Sequence, residues 1–520
     1  MTDQKDQDSN NTALQQKSLD QRANVALNGI RWLYLRGGSV GLSNLQTERQ
    51  INGHLVKSSH KRLVLCSHDG VFVKQVCYRG LRSLGKSLTG GTACKEGRMN
   101  QRLARRGVNV PDLIAYGVVK RFGFLQRDLL LTEKVNNAES LEEFAVNRWE
   151  STSFREKNQF IRDFANFIRT IHKKGVEHTD LHLGNILVRK NSENQFYLLD
   201  LDRVKLHDGL LNDNQTTKNL ALLLCTFQSL SSSLERFRFL KYYYDVKHLR
   251  EASSKLTKIE QAALKIASRI WAKKATRCLY SNSKFVRGKS RSFKFHCVNR
   301  IEVEKALEAL LPDPDNVLNN GVMLKDGRTV RAAKVRINGQ YYFLKRYNCK
   351  GTIYRIRNGF RRSRAARTWF STWSLAVRGV PVPQALICLV ERRLGLLERS
   401  YILYSYVDAC RLCDIWPLMN DLSKKRCLSK LAIVLGGMHR SGGYHGDLKW
   451  PNILIKDIQG KYSIVLSDLD GSRIYSGVPP RKVFKDIGRL ISDLEKTGEY
   501  EELKSSFLET WQKWSGMSLE

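Results

Sequence analysis

Apolar and polar positions alternate along two separated stretches of the chain, and apolar residues at helical spacing follow each stretch. The runs GVFVKQV (70–76) and QYYFLKRY (340–347) read as strands, each carrying one lysine, Lys74 and Lys345, among apolar and aromatic neighbours. Each leads through a basic, glycine-containing segment and a helix-like stretch to a matching turn. These turns are RRGVNVPDLIAYG (105–117) and VRGVPVPQALICL (377–389), with Pro111 and Pro383 in equivalent places. Strand pairs ending in LLLTEKVNNAESLEEF and YILYSYVDACRLCDI come next. Beyond them, SFREKNQFIRDFANFIRTIHKKG (153–175) and LSKKRCLSKLAIVLGGMHRSGG (422–443) repeat apolar residues at the 3.6-residue period, which predicts amphipathic helices. Strands before helices, twice over, predict an α+β protein of two tandem bilobal domains, each with a β-rich lobe, a helical lobe and a cleft between.

The spacing supports a duplication. Lys74 and Lys345 stand 271 residues apart, Pro111 and Pro383 272, and Asp180 and Asp447 267. So small a drift over such a span is what two diverged copies of one domain show. The expected boundaries are a disordered polar N-terminus over 1–24, a first domain over 25–280, a basic linker over 281–299 and a second domain over 300–520.

Past each long helix the chain repeats itself closely: VEHTDLHLGNILV at 176–188 and GYHGDLKWPNILI at 443–455. An acidic couplet on an apolar strand follows each, LLDLD at 198–202 and LSDLD at 466–470. The frame H-x-D-L-x-x-x-N followed by an aspartate is what a kinase-type phosphotransferase needs. Asp180 and Asp447 would orient the attacking hydroxyl. Asn185 with Asp200, and Asn452 with Asp468, would hold Mg²⁺ on the phosphates of ATP. Asp202 and Asp470 would cap the following turn or assist the metal. Lys74 and Lys345 would pair the α/β-phosphates, whereas alternation also allows a lysine on a solvated strand face. His178 and His445 read as scaffolds that bond backbone near the metal-binding strand, and His172 and His182 as ordinary core or surface residues. Thr179 and Gly446 replace the arginine of H-R-D kinases, which removes the usual acceptor for activation-loop phosphate.

The two copies differ in one supporting residue. Glu96 lies fifteen residues before Pro111 and is placed to form the ion pair that fixes Lys74. The same count before Pro383 lands on Thr368, and no Asp or Glu occurs between 346 and 390. Lys345 is thus expected to lack an evident carboxylate partner.

Composition narrows the partners. At 520 residues the chain exceeds one core and suggests about two to four domains. A hydrophobic content of 42% fits a folded protein. The 88 Lys plus Arg outnumber 50 Asp plus Glu, a net charge of +38 that calls for anionic partners. No nucleic-acid-binding motif accompanies the charge, so no nucleic-acid partner is expected. Arg355, Arg357, Arg361, Arg362, Arg364 and Arg367 form a solvated face or a phosphate-holding cluster. RFRFLKYYY (236–244) reads as a helix with buried aromatics, with a membrane-lying segment as the alternative. The odd count of eleven Cys, without paired spacing, suggests reduced thiols, and the lone C-x-x-C of Cys410 and Cys413 reads as incidental. Without a signal-peptide core or a run of about 18–20 apolar residues, a cytoplasmic protein touching membranes only peripherally is expected. GLRSLGKS (80–87) fits the phosphate-loop pattern G-x-x-x-x-G-K-[ST], but without a Walker-B partner or βαβ series it reads as a basic linker.

The segments HTDLHLGN…LLDLDRVKL and HGDLKWPN…LSDLDGSRI, the G-V-x-V-P turn, and FLKRYNCKG…RSRAARTWF resemble the lipopolysaccharide kinase (Kdo/WaaP) family. The D-L-D in place of D-F-G belongs to that resemblance. It covers most of both halves and implies a protein-kinase-like fold in tandem. It also implies transfer of the ATP γ-phosphoryl group, with Mg²⁺, to a Kdo or heptose sugar of lipopolysaccharide core or a related anionic glycolipid. The site of action would be the cytoplasmic face of the inner membrane. Two rival readings stand beside it: a catalytically inactive tandem pseudokinase that binds anionic membrane or glycolipid, and a Ser/Thr protein kinase. The missing A-P-E element after either D-L-D argues against the second rival.

Overall fold

The computed structural model describes residues 25–27, 29–36, 53–59, 61–149, 151–190, 194–227, 230–246, 249–290, 292–349, 351, 362–458, 461–498 and 501–518. The chain divides into two compact units, one taking residues up to Leu230 and Phe237–Ala263, the other Ser231–Arg236 and Leu264–Glu520. The expected N-terminal segment 1–24 and Arg355, Arg357 and Arg361 lie outside the described residues.

Each unit holds one seven-stranded antiparallel sheet followed by helices, a mixed α+β arrangement. In the first, the order across the sheet is Val25–Leu27, Ile30–Leu35, Leu113–Arg121, Phe124–Glu133, Val71–Cys77, Arg62–Ser67, Gly53–Ser59. In the second it is Phe285–Ser290, Phe293–Val298, Ala385–Arg393, Leu396–Ser405, Gln340–Asn348, Val330–Ile337, Val322–Asp326. The two orders are the same.

That identity corrects the linker. Residues 281–299, expected to be an exposed basic linker, contain the hairpin that opens the second sheet. It is the counterpart of the hairpin at 25–35 in the first unit. Its alternation hides the strand signal among cations: Phe285, Phe293, Cys297 and Val298 are buried while Arg287, Lys289 and Lys294 face solvent.

The segment fitting the phosphate-loop pattern is also not a linker. Leu81–Thr89 forms a helix, with Lys86 and Ser87 inside it. A phosphate loop needs inward-facing backbone N–H groups, and a helix has committed those to its own ladder. Two hydroxyls pin this helix to the sheet: Ser83 donates to the Leu125 carbonyl (2.6 Å), and the Leu125 amide donates to Ser87 Oγ (2.7 Å).

In the first unit the long helix Phe154–Lys173 opens with a capping box, Ser153 and Glu156 bonding reciprocally. Its buried face, including Phe160, Phe164 and Ile168, packs on the strand Asn194–Leu198 through Phe196. The 236–244 segment lies in the helix Ser233–Tyr244, where Phe239, Leu240 and Tyr243 are buried. Phe239 lies against Phe164, and the Tyr243 hydroxyl is 2.7 Å from His172 Nδ1. These aromatics belong to the core, not to a membrane face. In the second unit Asp421–Arg440 is the matching long helix, packed on Lys461–Leu466 and Glu501–Ser515. All eleven cysteines are free. No described helix is long and apolar enough to cross a membrane.

Candidate active site

In the first unit Lys74 sits on a strand paired on both sides, opposite Val64 and Leu130, and is buried. Its ammonium lies 2.5 Å from Glu96 Oε2 and 2.6 Å from Asp200 Oδ1. Glu96 comes from the helix Thr92–Arg105, which approaches the sheet closely because residue 97 is glycine. A Cβ there would stand 2.4 Å from the Tyr116 ring. The helix start is anchored by Asp128, a fully buried carboxylate that accepts from the Cys94 amide (3.0 Å) and the Tyr78 hydroxyl (2.9 Å). Sequence reading passed over Asp128 and Tyr78. The signal for Asp128 is weak, a carboxylate between Arg127 and the apolar run Leu129–Leu131 in FLQRDLLLTE.

Two carboxylates share one ammonium here, and burial separates their acidities. Burial pushes Glu96 up to about 7, against the pull of Lys74, with Asp200 and Asp202 reinforcing the rise. Asp200 moves the other way. Burial works to raise it, but Lys74, Arg62 and Lys57 outweigh that and hold it below the usual carboxylate value. Lys74 is raised: burial opposes its charge, and Glu96 and Asp200 overcome the opposition. A cavity of about 170 Å³ opens here, lined by Val64, Phe72, Lys74, Glu96, Leu130 and Asp200 among others.

The loop of the repeated phrase is tied to the end of the Asp200 strand. His178 is fully buried, and its Nε2 donates to the Leu199 carbonyl (2.9 Å) while its Nδ1 accepts from the Asp180 amide (3.2 Å). A carbonyl only accepts and an amide only donates, so this bonding fixes the neutral tautomer protonated at Nε2. Burial lowers the His178 pKa, consistent with that state. Asn185 donates its side-chain amide N–H to the Asp180 carbonyl (2.9 Å), a bond that does not use its side-chain oxygen. Its own carbonyl accepts from the Leu199 amide (2.9 Å). Asp200 then adopts φ 52°, a left-handed conformation that an L-residue holds only when its surroundings enforce it. Glu96, Asp200 and Asp202 present oxygens within 4.8 Å of one another. Hard oxygen donors of this kind suit Mg²⁺. His182 accepts from the Gly184 amide (3.1 Å) and His172 is buried in the helical core, both away from Lys74.

The second unit repeats most of this. His445 Nε2 donates to the Ser467 carbonyl (2.9 Å), its Nδ1 accepts from the Asp447 amide (3.3 Å), and Asn452 donates to the Asp447 carbonyl (2.8 Å). Asp468 again has φ 52°. Burial works to raise Asp468, and Lys345, with Lys325 and His445, holds it low instead.

One expectation fails in the second unit. Lys345 does have carboxylate partners: Asp468 Oδ1 at 2.6 Å and Asp470 Oδ2 at 3.0 Å. Thr368 stands on the helix side, and both carboxylates come from the D-L-D couplet itself. Asp447 also keeps company that Asp180 lacks. Arg489 Nη1 is 3.1 Å and Lys449 Nζ 3.2 Å from its Oδ1. Among the described residues Asp180 makes no ion pair. The Arg cluster is divided: Arg364 bonds Asp470 (3.2 Å), whereas Arg362 stacks over Phe370.

Residues 49–244 and 313–499, well over half the chain, match the lipopolysaccharide kinase (Kdo/WaaP) family in two segments. The chain belongs to that family, a family of lipopolysaccharide sugar kinases. A 3-deoxy-D-manno-octulosonic acid kinase of Actinobacillus succinogenes is 34% identical over 143 residues, covering 27% of this chain and 55% of that kinase. The chain thus spans little more than half the length of such relatives. The lipopolysaccharide core heptose(I) kinase WaaP of Escherichia coli is 24% identical over 240 residues, 43% of this chain and 86% of that protein. The solved structure of WaaP in complex with acyl carrier protein overlaps 45% of this chain and 98% of its own, at 22% identity and a TM-score of 0.35.

Proposed function

We propose that this chain transfers the γ-phosphoryl group of ATP to a sugar hydroxyl, Kdo or heptose of lipopolysaccharide core or a related anionic glycolipid. The observation that carries the reading is Lys74 held between Glu96 and Asp200, with the Asp180–Asn185 loop stitched to the same strand end. Each unit is then a bilobal kinase-like domain, and the first performs the transfer.

In the first unit the apolar wall of Val64, Phe72 and Leu130 receives the adenine, and Lys74 pairs the α/β-phosphates. Asp180 orients the acceptor hydroxyl and takes its proton as the new P–O bond forms and ADP leaves. Asn185 and Asp200 would hold Mg²⁺, which when bound neutralises charge on the phosphates. His178 keeps the loop and the Asp200 strand in register. The sugar acceptor is supported by the names of the relatives, and the net charge of +38 suits an acceptor rich in phosphate and carboxylate. The same charge favours work at the cytoplasmic face of the inner membrane, with peripheral contact.

The experiment is phosphate transfer from labelled ATP with Mg²⁺ to isolated Kdo- and heptose-containing core lipids. It compares the parent with Asp180→Ala, Asp447→Ala and the double variant. Transfer that tracks Asp180 is the expected result. Undiminished transfer by the double variant, or transfer to protein Ser/Thr and no sugar, sinks the assignment.

A further inference from the structure

The second unit holds its lysine by a different device. Asp470 accepts from four groups at once: Lys345 (3.0 Å), the Tyr347 hydroxyl (2.6 Å), the Thr368 hydroxyl (3.2 Å) and Arg364 (3.2 Å). Thr368 occupies the fifth position of its helix, as Glu96 does in the first unit. Tyr347 stands two residues after Lys345 where the first unit has Val76, and Arg364 opens its helix where the first unit has Thr92. Three positions therefore differ together, and all three point at one carboxylate. Asp202, the first-unit counterpart of Asp470, makes no ion pair with Lys74 and lies 4.0 Å from Arg203. Burial and the Asp470 charge together raise the Tyr347 pKa well above the ordinary value, so Tyr347 remains a donor.

We propose that Asp470 performs in the second unit the positioning task of the helix glutamate, fixing Lys345 to receive nucleotide phosphate. Tyr347, Arg364 and Thr368 form the cradle that turns its carboxylate toward the lysine. The second unit is then a nucleotide site that needs no helix carboxylate. Asp470 acts through Lys345 and is a positioning residue, not a metal ligand. This rests on reading Lys345 as a phosphate-binding lysine.

The test titrates a fluorescent ATP analogue, mant-ATP, into the full chain carrying Lys74→Met, so that remaining binding reports the second site. No binding in this background overturns the reading of Lys345 itself. Where binding is present, Asp470→Asn is expected to weaken it roughly tenfold or more, the scale of a lost charge-assisted bond. The loss is expected both with Mg²⁺ and with EDTA. Adding Thr368→Glu to Asp470→Asn, which returns the carboxylate to the helix, is expected to restore affinity to within about threefold of the parent. Binding indifferent to Asp470→Asn, or weakened only when Mg²⁺ is present, overturns the proposal. So does weakened binding with a lowered melting temperature and no rescue, because Asp470 is then only structural. If Asp470→Asn does not fold, Tyr347→Phe with Thr368→Val replaces it. That pair is expected to weaken binding by about threefold or more, and no change overturns the proposal.

Discussion

Lys74 and Lys345 occupy the same strand of two sheets with the same order, yet one is held between a helix and the D-L-D couplet and the other by the D-L-D couplet alone. In the first unit the pair Lys74–Glu96 joins the sheet to the helix Thr92–Arg105, so the position of that helix decides whether the lysine is aligned. In the second unit both carboxylates come from the 468–470 turn, and the helix contributes no carboxylate but a hydroxyl, Thr368, and a cation, Arg364, that bond Asp470. The aspartates of the repeated loops differ too, Asp447 being paired with Arg489 and Lys449 while Asp180 makes no ion pair among the described residues. A supporting residue therefore reveals more about divergence than the motif does. The loops stayed alike while the groups around them were exchanged.

The sharpest way to break this comparison is Asp180→Ala. It is expected to cut phosphoryl transfer by roughly a thousandfold, the scale of a lost general base, while Asp447→Ala costs far less. Equal losses in the assay with labelled ATP would make the two units equivalent.

Next comes acid stability. Burial lowers the His172 pKa to about 4, with Asn219 nearby opposing the shift. Above the unfolded value of about 6.5 both states are neutral. As pH falls below it the unfolded chain binds a proton that the folded one refuses, so stability is lost down to about pH 4. The full loss is on the order of 3 kcal/mol. Urea melts between neutral pH and pH 4 should show it, and His172→Phe should flatten that limb for the first unit. The counterpart His439 faces a buried carboxylate, Asp486, 3.4 Å away, where the first unit has Asn219.

A smaller effect separates the two lysine anchors. Gly97→Ala places a Cβ against Tyr116, and overpacking outweighs the helix-propensity gain, for a net cost of about 1–2 kcal/mol. Because the helix must shift, mant-ATP binding at the first site should weaken while the second site is unchanged. The least effect is expected from Arg489→Leu, which copies Leu222 of the first unit. A partly exposed ion pair of this kind is worth about 0–1 kcal/mol, so total transfer should stay within about twofold. A large gain in transfer in an Asp180→Ala background would instead expose a restrained second enzyme.

The sequence made the chemistry-bearing loops legible because catalysis ties residue types to short, fixed spacings, as from His178 to Asn185. Glu96 was readable for a related reason: it stands fifteen residues before Pro111, a distance set by the rest of its own helix and one turn. What stayed hidden depended on chain folding back over long distances. Asp470 reaches Lys345 across more than a hundred residues, and Arg489 reaches Asp447 from a helix that the motif does not include. The hairpin at 285–298 was missed for a local reason, since its exposed face is as basic as a linker.

That hairpin has a consequence for a chain carrying two related sheets. Without it, the largely buried apolar strand Ala385–Arg393 would be an open edge, and so would Leu113–Arg121 without the strands at 25–35. Exposed apolar edges on like-ordered sheets in one polypeptide invite strand exchange between them during folding. In each unit the hairpin covers that edge. It ends the sheet in a three-residue strand in one case, and in a strand bearing Arg287 and Lys289 in the other. Short or cationic edges do not accept a foreign strand, so each half is steered to close on itself.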